Sequence, residues 1–177
     1  MSKPSRFGLS APAVGEFMRW WRGINSEKAS GSARADRAIL RRAESVYAVA
    51  LTPAYQRVYA AMADAHDGQP WRDHERDRIA AMVGLAAHVK EETSLSLPEA
   101  MSRPSEDSDR NPVSDLRFRR LLDAPDTEAL FVGLRRALPL IGHAVDPKSL
   151  AEDVFGWGDI VKKRWAYAYS WSKQSNV

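Results

Sequence analysis

Apolar residues recur along this chain at intervals of three and four, with polar positions between them, and nowhere do they alternate long enough to read as a strand. The pattern predicts helix after helix. Ser10 caps a first helix that carries Phe17, Met18, Trp20 and Trp21 and stops near Gly23, ahead of a polar loop from Asn25 to Ser32. A second helix is expected from Ala33 to Leu51, with Ile39, Ala43, Val46 and Ala50 on its apolar face and Leu40 and Tyr47 beside them. Thr52-Pro53 is a break and restart, because threonine caps and proline fills the first helical position, where its missing N–H matters least. That third helix runs through Tyr55, Val58, Tyr59 and Met62 to the Asp67-Gly68 turn. A fourth begins beyond Pro70 and Trp71 and carries Ile79, Met82, Val83, Ala86 and Val89.

Residues 93–112 hold three prolines, five serines and several acids, and read as a linker. Within it, Ser96 and Glu99 have the spacing of a capping box, so one helical turn bearing Leu97 and Met101 is expected to dock on a neighbouring half. Beyond it, Phe118, Leu121 and Leu122 mark one helix. Asp123 and Pro125 start the next, with Leu130, Phe131, Leu134, Leu138 and Ile141 and a bend at Pro139. Asp146-Pro147 repeats the cap-then-proline signal, and Gly156-Trp157-Gly158 separates that short helix from a last one, Asp159 to about Ser172. The predicted architecture is all-α: an N-terminal helical bundle over residues 1–92, a Ser/Pro/acidic linker over 93–112 and a C-terminal bundle over 113–177.

Composition narrows the class. With 177 residues, 44% apolar and 28% charged, the chain can bury a real core without staples. It has no cysteine, which excludes disulfides, cysteine zinc sites, iron–sulfur ligation and thiol nucleophiles, and suits a reducing compartment. The polar, basic stretch Met1 to Leu9 does not read as a targeting segment, and no apolar run approaches membrane-spanning length, so a cytoplasmic protein is expected.

Charge is polarised more than the net +3 suggests: residues 1–60 sum to +6, 61–112 to −5 and 113–177 to +2. Of 26 basic residues 19 are arginine, whose planar fork matches phosphate. On the second helix Arg34, Arg37 and Arg41 fall on one stripe, opposite the expected Ile39/Val46 face, and no acid lies among them. Such a stripe fits phosphate tracking; a solvated face normally mixes signs. Arg42 lies nearer the apolar edge, where it packs its stem, pairs with an acid or reaches a phosphate. In the second half Arg117, Arg119 and Arg120, then Arg135 and Arg136, sit on adjacent helices and either converge on one anion or form separate ion pairs. Lys162, Lys163 and Arg164 lie among Trp157, Trp165, Tyr167, Tyr169 and Trp171, a mixture able to stack bases but equally the interior of a helix packed by its Val161/Trp165/Ala168 stripe.

Catalysis finds little support. The four histidines, at 66, 74, 88 and 143, make no His-Glu-x-x-His pair, and there is no glycine-rich phosphate loop. His66-Asp67 is a doublet of the metal-phosphohydrolase kind, but it lacks the earlier histidine that such a site needs; Asp73-His74-Glu75 lies at a helix start, where acids collect anyway. No enzyme, metal or cofactor is expected.

These residues resemble a known family. A tryptophan on the first helix, Gly31-Ser32-Ala33-Arg34 leading into Leu40-Arg41-Arg42, then Arg119-Arg120-Leu121-Leu122, Leu134-Arg135-Arg136-Ala137-Leu138 and the aromatic, basic stretch Asp153 to Trp171 occur in the order seen in the CasB family. That family is the small subunit of the type I-E CRISPR Cascade complex. The resemblance implies a non-catalytic helical protein that pairs with a second copy among other Cascade subunits and guide RNA. It further implies binding to target DNA without reading its sequence, so that the opened target, or R-loop, is stabilised in antiviral defence. Neither membrane nor small-molecule substrate is implied. The residues themselves leave a second possibility, a helical scaffold whose arginines bind protein neighbours only.

Overall fold

The computed structural model describes residues 8–173. Ten α-helices account for most of them, and the all-α expectation holds. Helix α1 (Ala11–Asn25) is capped by Ser10, whose hydroxyl accepts from Ala13 N–H, and α4 (Pro53–Ala65) by Thr52 with proline in its first turn, both as read from sequence.

The expected second helix is two. Helix α2 (Gly31–Arg42) ends before Ala43, and α3 (Val46–Ala50) restarts under a new cap, Ser45, which accepts from Ala48 N–H at 3.0 Å. The Glu128 carboxylate takes the freed Val46 N–H at 3.0 Å, so the break is held by a residue far away in sequence. With the break comes a rotation of the apolar face: Leu40 is fully buried, whereas Ile39 is 41% exposed. The three-to-four periodicity runs on across a junction that a local serine cap and a distant carboxylate hold together.

Helix α5 (Asp73–Ala86) is the axis of the molecule. Every residue from Ile79 to Ala87 is buried, so this segment is apolar on all sides and must be surrounded. It packs against α3, α8 (Thr127–Ala137) and α9 (Pro147–Phe155), while α1 lies along α4. One apolar cluster therefore runs from Leu9 to Tyr169, through both expected bundles and the segment between them. Gly84 permits the closest of these approaches: a Cβ there would meet Val49 Cγ2 at 2.7 Å and the Phe131 ring at 3.0 Å.

The segment over 93–112 contains α6 (Leu97–Met101), capped by Ser96 and Glu99 as expected, with Leu97 and Met101 fully buried. Helix α7 (Asp115–Leu122) is capped by Ser114, and α8 starts from Asp126 rather than Asp123, which closes α7 instead. The bend at Pro139 is a 3-10 turn over Leu138–Ile141. Helix α10 (Asp159–Ala168) stops four residues short of the expected Ser172, where Tyr169 turns into extended backbone.

Two strands of two residues each, β1 (Glu91–Glu92) and β2 (Ala144–Val145), pair in parallel. They are too short for alternation to reveal. Their effect is to tie the exit of α5 to the segment after α8, which brings His143 beside His88 and Lys90.

Candidate nucleic-acid interface

Helices α2 and α5 end close together, and side chains donate to carbonyls at both ends. At the end of α5 three successive carbonyls are taken: Ala86 O by Trp21 Nε1 at 3.1 Å, Ala87 O by Arg37 Nε at 3.3 Å and His88 O by His143 Nδ1 at 3.0 Å. At the end of α2, Arg41 O accepts from Arg135 NH2 at 3.2 Å, with that guanidinium 5.9 Å from the centre of the Phe131 ring. Helix C-termini carry about half a negative charge each, which draws cations to them.

The result is a basin of positive charge. Arg37 and Arg41 on α2, Arg135 on α8, Lys90 after α5, and the rings of His88 and His143 gather here, and none of these four cations has a carboxylate within ion-pair distance among the described residues. Burial and Arg41 lower the Arg37 guanidinium from its ordinary value. Burial, then the cations Arg135 and Arg41, hold His88 down at about 4, so its ring is neutral near pH 7. Two half-charges from helix ends cannot neutralise four full cations, so the basin keeps an excess that an external anion would satisfy. Two atoms mark the strain of this arrangement: His88 Nε2 and Arg135 Nε are buried without a hydrogen-bond partner.

The stripe read from the sequence is thus real but differently oriented. Arg34 is exposed, at helical spacing from Arg37, whereas Arg37 and Arg41 are half-buried and face the ends of α5 and α8 rather than away from the core. Arg42, expected at the apolar edge, is exposed. None of Arg34, Arg37, Arg41, Arg42, Arg117, Arg119, Arg120, Arg135 or Arg136 has a carboxylate within ion-pair distance among the described residues. The arginines that do are Arg19, Arg22, Arg57, Arg76 and Arg164. Asp36, between Arg34 and Arg37 in sequence but on another face of α2, is held by Arg57 at 2.7 Å.

The five arginines of the second half do not converge. Arg117, Arg120 and Arg136 line a groove of about 930 Å³ between α7 and α8, with Leu121, Ala129, Val132, Gly133 and Ala137 in its floor. Arg119 lies outside it, and Arg135, one residue from Arg136, turns to the basin on the other face of α8. The two acids at the groove, Asp126 and Glu128, are occupied in capping α8 and α3.

The last helix is built mostly as structure. Asp153, 1% exposed, pairs with Arg164 and accepts from Trp165 Nε1 at 2.8 Å; burial raises its carboxyl above the ordinary range, and Trp165 and Arg164 oppose that rise. Lys162 donates to Ala124 O at 3.3 Å and sits 5.6 Å from the centre of the Trp157 ring. Lys163 alone of the three is exposed without such a contact. Trp157, Trp165 and Tyr169 are buried, and Tyr167 and Trp171 are exposed.

The sequence reading missed Lys90, His88 and His143. Nothing local could have joined them to α2, since the link runs through the β1–β2 pair and the closing of α5. Elsewhere His66 stacks on Trp71 at 4.3 Å and accepts or donates at Ser10 Oγ, 2.8 Å away, and no group of three histidine, aspartate or glutamate side chains among the described residues gathers to hold a metal. No helix among them is long and apolar enough to cross a membrane.

The fold and the basin define a small helical protein with a concentrated, carboxylate-free cationic face. The model of CRISPR-associated protein Cse2 matches residues 36–169, and the chain belongs to that family. Kinship with CasB, expected from the Arg-rich helices, is thereby borne out. CasB from Thermus thermophilus is similar at 23% identity, covering 88% of this chain and 96% of its own with a TM-score of 0.66. A second structure of a CRISPR-associated, Cse2-family protein from Thermus thermophilus is similar at 23% identity over the same shares, with a TM-score of 0.61. A chain in the crystal structure of E. coli Cascade bound to a PAM-containing dsDNA target is similar at 19% identity, covering 86% of this chain and 92% of its own, with a TM-score of 0.64. These likenesses are of fold. No curated protein matches the chain by sequence.

Proposed function

We propose that this chain is a non-catalytic small subunit of a type I-E Cascade surveillance complex, holding the opened DNA target on its basic basin without reading sequence. Its partners on this reading are other Cascade subunits, guide RNA, a second copy of itself and the single strands of the R-loop. Family membership supports the assembly, and a fold-similar chain lies in a Cascade bound to dsDNA. The observation that carries nucleic-acid holding is the basin itself: Arg37, Arg41, Lys90 and Arg135, none within ion-pair distance of a carboxylate among the described residues, with the exposed Arg34 at helical spacing from Arg37. Cations set along a helix face contact phosphates, and phosphates carry no sequence, so discrimination is left to guide pairing.

The test is binding of single-stranded oligonucleotides to the isolated chain across a salt series. Roughly four phosphates neutralised give a log–log salt slope near −3. Arg34→Glu with Arg41→Glu should weaken binding at least about tenfold and flatten the slope by roughly 1.4, as two single-strand phosphate contacts are lost. Affinity indifferent to salt, or a strong preference for one base sequence, refutes the reading.

For the groove between α7 and α8 a second reading is favoured by its apolar floor. Arg117, Arg120 and Arg136 around Leu121 and Val132 suit the carboxylates and apolar side chains of a protein neighbour better than a bare phosphate backbone. The scaffold possibility left open by the sequence then applies to this face. Reversal of these arginines that stops assembly while sparing oligonucleotide binding supports it; lost oligonucleotide binding refutes it.

A further inference from the structure

We propose that His143 is a phosphate-contacting residue of the basin, protonated when an anion occupies it, so that nucleic-acid binding takes up a proton and weakens as pH rises. The proposal rests on the phosphate reading above and extends it to a residue and a regulation that arginines alone cannot supply.

The backbone at His143 is held where few side chains sit. Its φ is +56°, directly after Gly142 at +66°, and it is the one non-glycine residue with positive φ among those described. Its N–H donates to Leu138 O at 2.9 Å, and its carbonyl accepts from Lys90 N at 2.8 Å and from Glu91 N at 3.3 Å. Three backbone bonds thus fix a conformation that non-glycine residues adopt at a cost, and such strain concentrates where a side chain has to be aimed.

The ring is aimed as well. Nδ1 lies 3.0 Å from His88 O, and since a carbonyl can only accept, Nδ1 carries the proton and Nε2 presents a lone pair. Among the described residues Nε2 has no hydrogen-bond partner and, unlike His88 Nε2, it is not sealed from solvent. The groups facing the ring are Arg37 and Arg41 from α2, Lys90 from the segment after α5, and His88, which itself feels Arg135 from α8. The nearest acid in sequence is Glu91 in β1, which is exposed and meets His143 through its backbone N–H. An imidazole already committed at Nδ1 gains a second donor on protonation, at Nε2, on the open side of an arginine cluster.

In the free chain that proton is disfavoured: burial first, then Lys90, with smaller effects of Arg41 and Arg37, lower His143 below its ordinary value, against the pull of the His88 carbonyl. A phosphate in the basin reverses the balance by cancelling the cations and accepting from Nε2. A group whose proton affinity rises on binding strengthens binding below its free-state value and loses that contribution as pH climbs through the bound-state value. Arginine stays charged throughout this range, so a site of arginines alone would give a flat profile. His88 cannot substitute, because it is held down at about 4 and its Nε2 is buried.

The experiment measures affinity of the full chain for a single-stranded oligothymidylate from pH 6 to 8 at constant ionic strength. Wild type is expected to weaken about three- to tenfold over that interval, approaching tenfold per pH unit at most for one proton. His143→Asn, which tolerates positive φ and can still donate to His88 O, is expected to be flat. NMR titration of the His143 ring with and without the oligonucleotide gives a readout independent of any variant: its midpoint should move upward. A flat wild-type profile, a profile that persists in His143→Asn, or an unmoved His143 midpoint overturns the proposal. If these results accompany binding that still collapses on Arg34→Glu and Arg41→Glu, the phosphate reading survives and only the histidine's part falls. Absence of oligonucleotide binding at low salt, or binding indifferent to those reversals, sinks the phosphate reading and this proposal with it.

Discussion

Arg135 and Arg136 are neighbours in sequence and belong to different surfaces. The first closes the end of α2 within a basin whose walls are carbonyls, guanidiniums and imidazoles; the second lines a groove floored by leucine, valine and alanine. Both regions collect arginines without carboxylate partners, yet they are built by different physics. In the basin, Arg37 and Arg135 donate to helix-end carbonyls, so these two half-buried charges are held in place before any ligand arrives. Around the groove the arginines are exposed and unanchored, and what is fixed is the apolar surface beneath them. A prearranged set of cations suits a polyanion, whereas an apolar floor with a cationic rim suits a folded neighbour. Counting arginines would not have separated the two.

Charge reversal gives the largest expected contrast. Arg117→Glu with Arg120→Glu should leave single-strand affinity within about twofold of wild type, against the roughly tenfold loss expected for Arg34→Glu with Arg41→Glu. Equal losses measured for the two pairs under the same salt would erase the distinction and make one continuous nucleic-acid surface of both regions.

The neighbouring arginines sharpen it next. Arg135→Ala should cost about 1–2 kcal/mol of stability, because it opens the α2 cap and removes packing on Phe131, whereas Arg136→Ala should stay within about 0.5 kcal/mol. Denaturant midpoints of the two variants decide this, and similar values would mean that Arg135 is no more a part of the fold than Arg136.

The smallest effect is a pH dependence confined to the basin. His88 has its proton affinity depressed to about 4 in the folded chain, so the stability it supplies is present above the unfolded value near 6.5 and is lost as pH falls towards 4. About 1 kcal/mol of that loss is expected by pH 5, once the solvent-screened part of the ring is discounted. In His88→Gln the difference between urea midpoints at pH 7 and pH 5 should shrink accordingly; an undiminished difference would move the acid sensitivity elsewhere.

Most helices could be read directly. Ser10, Thr52-Pro53, Ser96 with Glu99 and Asp146-Pro147 are caps whose chemistry acts within four residues, and each starts a helix where expected. The largest failure required a distant partner, whereas the start of α8 at Asp126 instead of Asp123 was a choice between two local caps. Helix α2 ends where Glu128, 82 residues on, takes the Val46 N–H, and the apolar face turns with it from Ile39 to Leu40. The absence of an ion-pairing acid along the arginine stripe was also legible, because Asp36 was the only acid nearby.

An all-helical chain, its cap positions, its surplus of arginine and its kinship with a CRISPR-associated family were all written in the order of the residues. Local rules suffice for these, since helix periodicity and capping act over one turn and composition acts over none. Which arginines share a field is settled only in three dimensions. Arg37, Arg41, Lys90, Arg135 and His143 meet because α2 and α5 end side by side and two short strands bring the chain after α8 back to them. Coulomb interactions depend on distance through space, and in this molecule those distances are set by where a buried central helix stops.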